Sequence, residues 1–111
     1  MTVWQKSIDL VDLIYKITKN LPKNEEFGIS SQIRRAVVSV PSNIAEGFGR
    51  KNLKEYIQFL YIALASCFET ETQLIIIDKV FQIKDPEAEN LLNEIIKMLY
   101  SLIAKLKIKI V

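Results

Sequence analysis

Apolar residues recur along the chain at the three- and four-residue steps of an α-helix. Between Val3 and Leu21, the residues Val3, Leu10, Ile14, Ile17 and Leu21 form one stripe at 100° per residue. Trp4, Ile8, Val11 and Tyr15 form its neighbour. Gln5, Asp9, Asp12, Lys16 and Lys19 make a solvated line, with Asp12 and Lys16 at the favourable i,i+4 spacing. Leu21-Pro22 ends this helix, because the residue before proline avoids the α region. Pro22 to Phe27 reads as a polar loop.

A second helix spans about 29–48. Ile29, Ile33, Val37, Val40, Ile44 and Phe48 make its core line. Gln32, Ser39, Asn43, Glu46 and Arg50 share one flank; Arg34, Val38, Pro41 and Ala45 share the other. Pro41 predicts a kink. Gly47 and Gly49 predict a left-handed C-terminal cap. The third helix, about 52–81, opens on Asn52, a good N-cap. Leu53, Ile57, Leu60, Leu64, Cys67 and Leu74 give a heptad-like line. From Phe59 to Phe68 it is apolar nearly all round, which predicts cover on more than one side. Four helices cannot easily enclose one of their own, so the second cover is read as another subunit. Asp85-Pro86-Glu87 starts the fourth helix, about 86–107, with an N-cap, a first-turn proline and a carboxylate at the dipole's positive end. Leu92, Ile95, Leu99, Leu102 and Leu106 form its seam. Short loops predict an all-α, antiparallel up-down-up-down four-helix bundle of one domain, 1–111.

Half of the 111 residues are hydrophobic, ample for a core, and 3 Gly with 3 Pro are too few for a β-sandwich. With 15 basic and 13 acidic residues the net charge is +2, so any nucleic-acid footprint rests on distribution rather than excess. One Cys excludes an internal disulfide and fits a reducing cytoplasm. The absence of His removes His-based acid–base catalysis, Cys–His nucleophiles and ordinary zinc sites. It also counts against a helical ribonuclease with an Arg-x-x-x-His motif, so no enzyme is predicted. Lys and Asp dot Val3 to Leu21, unlike a signal peptide, and the uncharged run Tyr56 to Phe68 is too short to span a bilayer. No membrane and no cofactor are expected.

The candidate sites are surfaces. Arg50, Lys51 and Lys54 cluster at the junction of helices two and three, and Lys105, Lys107 and Lys109 at the C-terminus. In an antiparallel bundle both clusters fall at one end, which predicts weak, salt-sensitive RNA contact. Only Phe48 and Tyr56 interleave with these cations, so little base stacking is expected. Arg34-Arg35 either grips phosphates or pairs with carboxylates or helix C-termini of neighbours. For a subunit interface the candidates are Val38 and Ala45 outside the core stripe, and Leu60, Ala63, Leu64 and Cys67 in the all-apolar stretch. Ser39, Asn43 and Glu46 share a flank without a base or nucleophile beside them, and are read as an intersubunit hydrogen-bond network. Gly47-Phe48-Gly49-Arg50-Lys51 lacks the Gly-Lys-Ser/Thr end of a P-loop. Glu69 and Glu71 point apart, so they are no metal pair.

The strings QIRRAVVSVPSNIAEGFGR and EYIQFLYIALASCFETETQL, with VWQKSIDLVDLIYKI at the start, closely resemble the proteins encoded in 23S rRNA intervening sequences. The resemblance covers nearly the whole chain. It implies a four-helix bundle assembled as a ring-like homopentamer. It also implies similarity to the accessory variability determinant of diversity-generating retroelements, which binds a reverse transcriptase and nucleic acid. The partners to expect are the chain itself, RNA, or a ribonucleoprotein. One departure is Thr70 in Glu69-Thr70-Glu71, where an apolar middle residue is usual.

Overall fold

The structure, a computed structural model, describes residues 1–110. Four α-helices make up the chain: α1 (Thr2–Thr18), α2 (Ile29–Phe48), α3 (Leu53–Phe81) and α4 (Pro86–Ile108). A single 3₁₀ turn, Lys23–Glu25, lies between α1 and α2. Among the described residues there is no strand. Side-chain caps fix two helix starts. Asn52 accepts from the backbone N–H of Lys54 at 2.7 Å, and Asp85 from that of Ala88 at 3.1 Å.

The first helix stops at Thr18, short of the expected Leu21. The N–H groups of Asn20 and Leu21 turn back to the carbonyls of Ile17 and Thr18, and Leu21 is buried as an anchor. Pro22 forces this early exit, since it keeps Leu21 out of the α region. The helix α2 runs unbroken through Pro41. Beside that proline, Ser42 Oγ and Asn43 Nδ2 donate to the carbonyls of Val38 and Ser39, giving this weakened stretch of ladder extra bonds.

Neither Gly47 nor Gly49 takes a left-handed conformation; among the described residues the only positive φ belongs to Gln82, at 56°, which caps α3. Gly47 has a different role. A Cβ there would lie 2.8 Å from Cβ of Phe59 and 3.0 Å from Cδ1 of Tyr56. Glycine therefore sets how closely α2 and α3 approach, and theirs is the most extensive contact in the molecule. The other backbone neighbours are α1 with α2, α3 with α4, and α1 with α4; the diagonal pairs do not meet. Contacts run in opposite order along α2 with α3 and along α3 with α4. Ser39 meets Ser66 while Gly47 faces Phe59; Tyr61 meets Lys107 while Asp78 and Leu74 flank Leu92.

Leu10, Ile14, Ile33, Val37, Val40, Ile44, Leu60, Ile77, Leu92, Ile95 and Leu99 fill the centre with essentially no exposure. Each contributes about 1.5–3 kcal/mol relative to an exposed position. The buried Ser7 and Thr18 hydroxyls donate to the carbonyls of Trp4 and Tyr15, while the buried Gln73 Oε1 has no hydrogen-bond partner among the described residues. Thr70 Oγ1 donates to the Ser66 carbonyl at 2.8 Å, which makes threonine tolerable in a fully buried position. Gly47→Ala, forced against Phe59 and Tyr56, is expected to cost about 1–3 kcal/mol of stability, measured by denaturant unfolding. Unchanged stability would show that α2 and α3 have slack here.

Candidate nucleic-acid interface

The connection between α2 and α3 is short, and its geometry exposes cations. Gly49 N–H bonds the Ala45 carbonyl and Arg50 N–H bonds the Gly47 carbonyl, so the chain turns at once into the Asn52 cap. Arg50, Lys51 and Lys54 all stand exposed at this corner. Arg50 is partly committed: its Nη2 lies 3.0 Å from Glu46 Oε2, and its guanidinium sits 4.8 Å over the Phe59 ring. Among the described residues, Lys51 and Lys54 have no carboxylate within ion-pair distance. Phe48 and Tyr56 brace the corner edge to face, centroids 6.1 Å apart. Burial pushes the Tyr56 hydroxyl above its ordinary pKa.

The second basic cluster lies at the end of α4. Lys105, Lys107 and Lys109 are exposed. Lys107 Nζ sits 5.1 Å from the centre of the Tyr61 ring. Tyr61 is about 12 Å along α3 from Leu53 at 1.5 Å per residue. The lysine tail therefore flanks the first third of α3, below the α2–α3 corner and in the same half of the bundle. Lys105 and Lys107, two positions apart, face different sides.

Arg34 and Arg35 do not join this region. They lie about 24 Å away along α2 at 1.5 Å per residue. Arg34 Nε donates to Thr18 Oγ1 at 2.8 Å, and the guanidinium stacks 4.5 Å over Tyr15. This arginine thus serves the C-terminal end of α1, where a cation suits the dipole. Arg35 is exposed.

Four of the expected interface residues are interior to the chain. Leu60, Ala63 and Cys67 have no exposure and Leu64 has 4%, so none offers surface to a second subunit. The reason is angular. The surplus apolar surface of α3 is carried instead by Tyr61, Ile62, Phe68, Ile75, Ile76 and Val80, which stay exposed. Burial pushes the Cys67 thiol up to about 12, with the Glu71 charge adding, so it stays protonated and inert at neutral pH. The Ser39 flank is bonded within the chain: Asn43 Nδ2 and Ser66 Oγ both donate to Ser39 Oγ, at 2.8 and 2.9 Å. Glu46 is outside that network, paired with Arg50. Val38 and Ala45 are exposed, as an interface needs. They face a surface the sequence did not delimit, because Trp4, Ile8 and Tyr15 read as a second core stripe. All three are exposed; Tyr15 stacks under Arg34 of α2, and Met1, Trp4, Ile44, Ala45 and Phe48 line a hollow of about 310 Å³.

Among the described residues no three His, Cys, Asp or Glu side chains are grouped to hold a metal ion. By length and composition, α3 alone among the described helices is apolar enough to cross a membrane, and half of that apolar window is buried in this bundle.

An all-α protein of four helices is the class these features define. The sequence pattern of the 23S rRNA-intervening sequence protein family matches residues 1–104, and the chain belongs to that family. It is similar to a protein of unknown function from the S23 ribosomal protein family of Bacteroides thetaiotaomicron, whose crystal structure was solved at 1.70 Å. The two are 33% identical over 91% of this chain and 97% of that one, with a TM-score of 0.77. No curated protein matches.

Two substitutions separate the roles on the α2 flank. Asn43→Ala should lower stability by about 1–3 kcal/mol, because it removes a half-buried donor from Ser39. Glu46→Ala should change it by no more than about 0.5 kcal/mol, the usual size of an exposed i,i+4 pair. Thermal melts of the two variants check this; a larger loss for Glu46→Ala would return that residue to a buried network.

Proposed function

We propose that this chain is a non-enzymatic, self-associating bundle of up-down-up-down topology that holds RNA, or a ribonucleoprotein, at its basic end. The opposite order of contacts in neighbouring helices and the short connections after Phe48 and Phe81 support the topology. The observation that carries the RNA reading is Lys107 over Tyr61, which sets the α4 lysine tail in the same half as Lys51 and Lys54. The family description names 23S rRNA, which makes RNA the first probe to try.

Self-association draws on two unlike apolar surfaces. One is the α1–α2 side with Trp4, Ile8, Val38 and Phe48; the other is the α3 row Ile62, Ile76 and Val80. Exposed apolar surface of this breadth marks a contact site. Unlike faces joining head to tail close a ring when the rotation fits, and the family resemblance favours a homopentamer. A ring repeats the basic end once per subunit, so weak sites add by multivalency. The similarity to the accessory variability determinant makes a reverse transcriptase the protein partner of choice should RNA fail. The single buried thiol fits work in the cytoplasm.

Titration with a structured RNA at low and physiological salt tests this. The wild type should bind at low salt and weaken steeply as salt rises. Changing Arg50, Lys51 and Lys54 together to Glu should weaken binding about tenfold or more, since three phosphate contacts become repulsive. Equal affinity, or no binding at low salt, leaves a scaffold for a protein partner. Light scattering on the same samples should show a mass above the 12.8 kDa of one chain; a clean monomer would remove self-association.

A further inference from the structure

Tyr61 and Phe68 are seven residues apart on α3, and Tyr100 and Lys107 are seven apart on α4. Seven residues turn a helix to within about 20° of two full turns and advance it about 10.5 Å. Each pair therefore shares one side of its helix. Lys107 lies over Tyr61, and contacts along α3 and α4 run in opposite order. One heptad onward from Tyr61 and one heptad back from Lys107 reach the same level, so Phe68 and Tyr100 stand at one height along the α3–α4 face. All three rings are open to solvent: Tyr61 and Phe68 are each 41% exposed and Tyr100 51%.

Cations flank this ladder. Lys54 stands a heptad before Tyr61 on the same side of α3, and Lys97 a turn before Tyr100 on α4; both are exposed. The order along the groove is Lys54, then Tyr61 with Lys107, then Phe68 and Tyr100 with Lys97. Beyond it the charge reverses. Glu71, Asp78 and Glu89 line the next hollow, where Lys84 is already bound to Asp78 and Glu89 at 3.8 and 3.0 Å. Rings interleaved with cations thus cover one half of the α3–α4 face and stop at an acidic border.

We propose that this half-face is a stacking platform for single-stranded nucleic acid. This rests on the RNA reading above and departs from the sequence expectation that stacking is minor. Lysines meet the phosphates, while unpaired bases lie on Tyr61, Phe68 and Tyr100; ring stacking accepts any base, so affinity is sequence-tolerant. A duplex keeps its bases inside and gains only the phosphate contacts. A second copy of the chain is the poorer occupant, because lysine is depleted from protein–protein contacts.

The test uses end-labelled dodecamer oligo(A), alone and as a duplex with oligo(U), in fluorescence anisotropy titrations at two salt concentrations. The single strand should bind about tenfold tighter than the duplex. Phe68→Leu and Tyr100→Leu, which keep the apolar bulk and remove the ring, should each weaken oligo(A) about tenfold with the salt slope unchanged. Tyr100→Phe should bind like the wild type. Wild-type affinity in both Leu variants, with equal binding of strand and duplex, overturns the platform and leaves the electrostatic RNA reading standing. Leu variants that change the light-scattering mass while keeping oligo(A) affinity assign the rings to a subunit contact and also overturn it. A wild type that binds neither probe at low salt overturns both proposals.

Discussion

The close approach of α2 and α3 at Gly47 is the constraint on which the rest of the molecule depends. With no Cβ at that position, Phe59 and Tyr56 move in against the α2 backbone. Two turns away, the Ser39–Ser66 hydrogen bond fixes the register of the same pair. Together these contacts decide where the α2–α3 corner stands, and so where Arg50, Lys51 and Lys54 are displayed. Arg50 over Phe59 is a direct result, since the ring is held in place by the packing around Gly47.

Much of the fold was legible because helices announce themselves locally. Asn52 and Asp85-Pro86 marked starts through chemistry that needs no tertiary information. The core stripes of α2 and α4 were plain apart from Phe48, which read as core and stands 66% exposed. The helix α3 was different. A helix apolar nearly all round does not say which of its sides its own chain will cover. Leu60, Ala63, Leu64 and Cys67 therefore read as interface and proved to be interior. Gly47 misled for a related reason: glycine near a helix end signals a left-handed cap, and here the small size matters rather than the backbone freedom.

The candidate site was legible in part. The two lysine-rich clusters stand out in the sequence. The ring beside one of them does not, because Tyr61 meets Lys107 only through the register between α3 and α4. Arg34 is the opposite case. Its doublet left open a phosphate grip or a neighbour's helix C-terminus, and Thr18 and Tyr15 at the end of α1 engage it in the second way. Charge alone, at +2, gives no direction; the fold supplies one by separating a lysine-rich half from the acidic border at Glu71, Asp78 and Glu89.

Where nucleic acid touches the chain is best read by amide chemical-shift mapping of the isotope-labelled protein with oligo(A). If the basic, ring-bearing half is the contact surface, the perturbed amides should gather between Arg50 and Phe68 and between Lys97 and Lys109, with Ser31 to Arg35 silent. Perturbation centred on Arg34 and Arg35, or on the acidic end around Asp78 and Glu89, would contradict that assignment.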